Sequence, residues 1–181
     1  SNGRWENLRS VEELAHYSAI AGYHDHFKPG GSILDVGCGE GVLQERLIPY
    51  NYSRYVGIDI SEEAIRRGSR KQDERTSFVQ ADVDTYTPDE SFDTIIFNET
   101  LYYFENPVGI MKKYASFLKK GGIFIISVYG KRERNMLVWK IIEEVCVVVD
   151  EVRVCHQSGK FWVIKVVRPF EEGSDNQVRR N

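Results

Sequence analysis

The chain has 181 residues, 41% of them hydrophobic and 28% charged, which suits one domain with a sizeable core. Its formal net charge of -3 gives no global attraction to nucleic acid or to an anionic membrane, and no apolar run reaches the about 20 residues that span a bilayer. The polar start has no signal-peptide pattern, and Cys38, Cys146 and Cys155 fall in no CxxC or metal-ligand spacing. They read as small buried thiols of a cytoplasmic protein without a metal site.

Residues 10–27 carry the pattern of a helix, with Ser10 and Glu13 forming a capping box and Val11, Leu14, Ala15 and Ser18 as its inner stripe. "KPGG" stops it. Short apolar runs then alternate with helical segments. Strands are expected over 32–36, 54–60, 76–82, 91–99 and 123–130, and helices over 41–50, 61–72, 107–120 and 133–145. Ser61 caps the second of these helices, Pro107 opens the third, and "GG" at 121–122 ends it. Two final strands, "CVVVDEVRVCH" and "KFWVIKVVRP", are joined by a hairpin-sized "QSG". Such alternation implies a mostly parallel sheet with helices on both faces, and the terminal hairpin makes one edge antiparallel. The expected organisation is a helical lid over 1–29, one domain over 30–168 and a flexible tail over 169–181.

The stretch "ILDVGCGEG" places Gly37, Gly39 and Gly41 at the carboxyl end of the first strand, where open α/β sheets bind ligands. Gly37 permits a turn with positive φ, Gly39 a close backbone approach, and Gly41 tight helix–strand packing. The spacing is G-x-G-x-G, unlike the G-x-G-x-x-G of dinucleotide enzymes, and Asp35 would repel a phosphate. An ammonium group suits Asp35. Asp59, about 20 residues past the loop, suits ribose hydroxyls. Asp82 suits an exocyclic amine, with the backbone N–H of Val83 beside it. Ammonium, ribose and adenine without phosphate are the parts of S-adenosylmethionine.

With "YVGIDIS", "FVQADV", "FDTIIFNETLYYFENP" and "LKKGGIFIISV" in order, the chain resembles the class I S-adenosylmethionine-dependent methyltransferases over roughly residues 30–168. The resemblance implies an α/β, three-layer Rossmann-like sandwich whose seven-stranded sheet runs 3-2-1-4-5-7-6, strand 7 antiparallel. It also implies cofactor contacts from Asp35, Gly37, Gly39, Asp59, Asp82, the backbone near Ile60 and Val83, and Asn98 toward the methionine moiety. Cys38 in the loop and Tyr17 on the lid helix join this set.

The family places substrate-facing groups in the segment after strand 4. Here that segment lacks the D/N-P-P-Y/F/W motif, and Tyr103 stands where many small-molecule O-methyltransferases carry a histidine. "ETLYY" is similar to a stretch of nodulation-type N-methyltransferases. Glu99, Tyr102, Tyr103 and, from the lid helix, His24 are the candidate bases, while His16 and His26 are expected in solvent. Trp5 is read either as a cover for the cofactor or as an anchor, and "KRER" at 131–134 as a helix start or a contact for an acidic substrate. The expected activity is methyl transfer to O or N of a small or glycan-like acceptor, by a monomer or homodimer. A silent binding module and an NAD-dependent oxidoreductase are the alternatives; the loop spacing speaks against the latter.

Overall fold

A computed structural model describes residues 7–130 and 133–170, with no account of the side chains of residues 7, 133 and 134. Trp5, the "KRER" stretch and the tail from residue 171 therefore lie outside the described residues or side chains. The chain runs α1 (Val11–Phe27), β1 (Gly30–Val36), α2 (Val42–Leu47), β2 (Tyr52–Asp59), α3 (Glu62–Gly68), β3 (Thr76–Gln80), β4 (Phe92–Asn98), α4 (Pro107–Ala115), β5 (Leu118–Tyr129), α5 (Glu133–Ile142), β6 (Cys146–Cys155) and β7 (Phe161–Pro169). The strands form one sheet in the order β3-β2-β1-β4-β5-β7-β6. All pairs from β3 to β5 are parallel, and β7 is antiparallel to both β5 and β6.

Alternation along the central strands builds two cores, because successive side chains point to opposite faces. Leu34, Ile58 and Phe97 face α4 and α5, packing with Ile110, Tyr114, Trp139 and Ile142. Ile33, Tyr55 and Ile96 face the other way, onto Tyr17, Ile20 and Ala21 of α1 and Leu43 and Leu47 of α2. Both faces of the parallel strands are thus covered, which is why these strands read as nearly continuous apolar runs.

Helix α1 turns a different face inward from the one its apolar residues suggest. Val11, Leu14, Ala15 and Ser18 are exposed, and His16, Tyr17, Ile20, Ala21 and His24 are buried. The Ser10 side chain makes no capping hydrogen bond; the Glu13 N–H bonds the Ser10 carbonyl instead. The Ser61 cap does form, its hydroxyl accepting from the Ala64 N–H at 3.3 Å. Helix α4 ends five residues before its expected limit of 120, and β5 begins at Leu118. Gly121 (φ 73) sits inside that strand, where its register on β4 shifts between Phe92 and Thr94. The "GG" pair serves a bulge rather than a helix stop. Cys38 and Cys146 are buried, but Cys155 is exposed at the end of edge strand β6. No helix among the described residues is long and apolar enough to cross a membrane.

Candidate active site

A cleft of about 610 Å³ opens over the carboxyl ends of β1, β2 and β4, a size typical of small-molecule sites. Its floor is the loop after β1. The N–H groups of Gly37 and Cys38 both donate to the Ile58 carbonyl, at 2.8 and 2.9 Å, stitching the loop to the end of β2. Gly37, Gly39 and Gly41 all hold positive φ (77, 55 and 75), the left-handed region that glycine enters without penalty. A Cβ on Gly37 would lie 2.2 Å from Cγ2 of Thr100.

Asp35 is 1% exposed, and its Oδ2 accepts a 2.6 Å hydrogen bond from the Tyr55 hydroxyl. Its Oδ1 has no partner. Burial pushes the carboxyl up to about 7, with the Tyr55 bond opposing and the Asp59 charge adding to the rise. Asp59 accepts from the Gly39 N–H at 2.9 Å and the Ser61 N–H at 2.8 Å, one on each oxygen. Each oxygen keeps a second acceptor position for a ligand hydroxyl. Cys38 is buried in the loop with its thiol pushed well up by burial. Asn98, at the end of β4, presents a second buried oxygen, Oδ1, that meets no partner in hydrogen-bond geometry, while its side chain lies against His16 and Tyr17 of the cleft wall.

Three expected cofactor residues stand outside the cleft wall. Ile60 is 69% exposed next to Asp59. The Asp82 carboxylate accepts the Asp84 N–H at 2.8 Å, and the Val83 carbonyl is held by Lys113 Nζ (3.0 Å) and the Tyr114 hydroxyl (3.1 Å). The loop after β3 is therefore pinned by α4.

Glu99 is a non-glycine residue at positive φ (62), a strained conformation that clusters at functional sites. Its Oε2 accepts from the Tyr102 hydroxyl (2.8 Å) and the Tyr129 N–H (3.0 Å), and its Oε1 from Ser127 Oγ (2.9 Å). Burial outweighs these bonds and lifts its carboxyl to about 7. Tyr103 is 70% exposed at the rim, its ring 4.7 Å from that of Tyr102.

His24 does not belong to this site. It is fully buried, with Nδ1 2.9 Å from Thr94 Oγ1, and Thr94 pairs with Ile33 and Ile123 rather than lying at a strand end. The histidine in the cleft wall is His16, 1% exposed and stacked on Trp162 at 4.7 Å, not solvated as its sequence context suggests. Its position one residue before Tyr17 was the only signal. Nothing local marks Lys160 and Trp162, which reach the cleft because antiparallel β7 starts beside the end of β5, with Trp162 opposite Tyr129. Leu8 also lines the cleft, and Arg9 bonds the buried Glu40 of the glycine loop and Glu45 of α2. Among the described residues, no cluster of three His, Cys, Asp or Glu is arranged to hold a metal ion.

The partnerless oxygens of Asp35 and Asn98 fit an ammonium group, and the spare acceptor positions of Asp59 fit a diol. The donor set matches a nucleoside that carries an amino-acid moiety. A family profile described as a methyltransferase domain matches residues 27–174, and the chain belongs to that family. It is a class I S-adenosylmethionine-dependent methyltransferase domain. Over 103 residues it is 32% identical to malonyl-[acyl-carrier protein] O-methyltransferase 2 of Ilyobacter polytropus, covering 55% of this chain and 40% of that one. Over 121 residues it is 31% identical to a sterol 24-C-methyltransferase of Aspergillus fumigatus, covering 60% and 32%. The chain thus spans well under half the length of these relatives. In fold it is similar to the N-methyltransferase NodS of Bradyrhizobium japonicum WM9, solved with S-adenosyl-L-homocysteine. That likeness has a TM-score of 0.79 at 21% identity and covers 94% of both chains.

Proposed function

We propose that this chain transfers a methyl group from S-adenosylmethionine to oxygen or nitrogen of a small-molecule or glycan-like acceptor. The observation that carries the cofactor half is the pair of buried oxygens without partners, Asp35 Oδ1 and Asn98 Oδ1, on residues lining one cleft. They hold the ammonium of the methionine moiety. Asp59 takes the ribose hydroxyls, and the backbone of Gly37, Cys38 and Gly39 lies against the ligand. Ile60, Asp82 and Val83 flank the adenine end from beside the cleft, and Tyr17 covers the methionine end. The bound cofactor supplies a methyl carbon activated by a positively charged sulfur.

The chain's own contribution is to orient the acceptor and to hold its proton. Glu99 is the proton acceptor, fixed by three donors, and Tyr103 closes the rim. The lid helix α1 supplies Glu13, His16 and Tyr17 and excludes water. The fold likeness to a solved N-methyltransferase supports a site of this kind. The test is calorimetric titration with S-adenosyl-L-homocysteine and with NADH, followed by mass spectrometry of methylated products across amine, hydroxyl and carboxylate acceptors. Tighter binding of NADH refutes the cofactor assignment. Cofactor binding with no product from any acceptor favours the silent binding module.

A further inference from the structure

The cleft is also walled by Glu13, His16, Glu99, Tyr102, Tyr129 and Trp162, none of them assigned to the cofactor. Its charge is one-sided. Among the described lining residues, Glu13, Asp35, Glu40, Asp59 and Glu99 are acidic, Glu40 being paired with Arg9 and Arg67, and Lys160 is the sole lysine or arginine. That lysine is already paired, 2.5 Å from Glu12 and 3.7 Å from Glu13. A carboxylate or phosphate acceptor would enter against this field; a cation would enter with it.

Glu99 and His16 are left with acceptor capacity. A carboxylate oxygen accepts two hydrogen bonds. Glu99 Oε2 has both, from Tyr102 and Tyr129, but Oε1 has only Ser127 and keeps one position open. His16 is 1% exposed, and neither ring nitrogen reaches hydrogen-bond geometry with a partner. Burial holds its pKa down at about 3 against opposing contacts with the Asn98 side chain and the Glu13 backbone, so the ring is neutral and one nitrogen is an acceptor. Glu13 Oε2 lies 3.5 Å from Nδ1 and favours the proton on that nitrogen, which leaves Nε2 unprotonated. The rings of Tyr102, Tyr129 and Trp162 line the same cleft, and aromatic rings attract cations.

We propose that the acceptor is an amine that enters as its ammonium form and is held by Glu99 Oε1 with His16 as the second acceptor. This rests on the methyltransferase reading and narrows it to nitrogen. One N–H bond of the ammonium breaks, its proton passes to Glu99 Oε1, and the electron pair stays on nitrogen. The products are a neutral carboxylic acid and a neutral amine whose lone pair is free to act as nucleophile. An alcohol brings one donor to two acceptors and no charge, and leaves this arrangement half used.

The experiment saturates the protein with S-adenosyl-L-homocysteine and titrates benzylamine and benzyl alcohol, matched in shape, by ligand-detected NMR. Wild type, Glu99→Gln and His16→Phe are compared, and each variant's affinity for S-adenosyl-L-homocysteine is measured separately. Benzylamine should bind at least about tenfold more tightly than the alcohol, and Glu99→Gln should remove about tenfold of that affinity, the scale of one hydrogen bond to a charged group. His16→Phe keeps the ring on Trp162 and removes both nitrogens, so it tests the same assignment if Glu99→Gln does not fold. Amine and alcohol binding equally, no binding of benzylamine, or amine affinity untouched by the variants that fold overturns the amine assignment. In those cases intact S-adenosyl-L-homocysteine binding leaves the methyltransferase reading standing. Absence of S-adenosyl-L-homocysteine binding by the wild type overturns both.

Discussion

Gly37→Ala tests whether the floor of the cleft is built as described. Two costs add. Alanine at φ 77 occupies the left-handed region, which costs about 1–2 kcal/mol for a residue with a Cβ. The new methyl also falls 2.2 Å from Thr100 Cγ2, an overlap of the kind that costs about 1–3 kcal/mol when neighbours must shift. The single variant should therefore lose about 2–5 kcal/mol of unfolding free energy. Thr100→Ser deletes only the clashing carbon and keeps the hydroxyl that bonds the Val36 carbonyl at 3.1 Å. The nearest remaining Thr100 atom would be Cβ, at 3.2 Å. In the double variant the overlap term disappears while the backbone term remains, leaving a loss of about 1–2 kcal/mol. Urea unfolding of the four proteins, read from the midpoint at constant slope, gives the coupling directly. A coupling within about 0.5 kcal/mol of zero would mean that Gly37 and Thr100 do not meet, and the reasoning fails.

Asp59→Ala should weaken S-adenosyl-L-homocysteine binding by about 1–3 kcal/mol, since it removes the hydroxyl acceptors and releases the Gly39 and Ser61 N–H groups; an unchanged calorimetric affinity removes the assignment. Asp35 carries its proton below about 7, so binding an ammonium there requires the proton to leave. Cofactor-product affinity should fall by up to about tenfold per pH unit below that point and level off above it, and a flat calorimetric profile with no proton release refutes the role. Glu99, raised from 4.5 to about 7, favours folding fully below pH 4.5 and loses that contribution as pH rises through about 7. His16, lowered from 6.5 to about 3, has the opposite sense: its contribution is present above pH 6.5 and lost as pH falls through about 3. Glu99→Gln removes this falling contribution and leaves that of Asp35, so between pH 4.5 and 7 the slope of its stability against pH should be more positive than that of the wild type. A slope equal to the wild type's contradicts the assignment.

The strand–helix alternation and the glycine loop were legible because both depend on local chemistry: apolar runs that end in acids, and glycines clustered at a strand end; the sheet order followed only from the family resemblance. The face of α1 was not legible. Its inward residues include two histidines and a tyrosine; Tyr17 and His24 could be nominated as reaching inward, but a polar–apolar pattern assigns His16 to solvent. His16 is buried by stacking on Trp162, nearly the whole chain away. The boundary at 116–122 was misplaced because "GG" looks the same at a helix end and in a bulged strand. Glu99 could be nominated from its place after β4, but its strain and its three donors come from β5 and from the turn at Leu101–Tyr103.

The reversed direction of β7 separates two tasks in space. Its first residues, rather than its last, stand at the rim, so the turn that joins it to β6 borders the cleft, on the side proposed for the acceptor, through Lys160 and Trp162. The end of β2, where Asp59 is proposed to take the ribose hydroxyls, lies four strands away in the same sheet. Insertions or replacements in that turn can redraw which molecule is accepted while the donor grip stays untouched, giving one scaffold room to change clientele without relearning how to hold its methyl source.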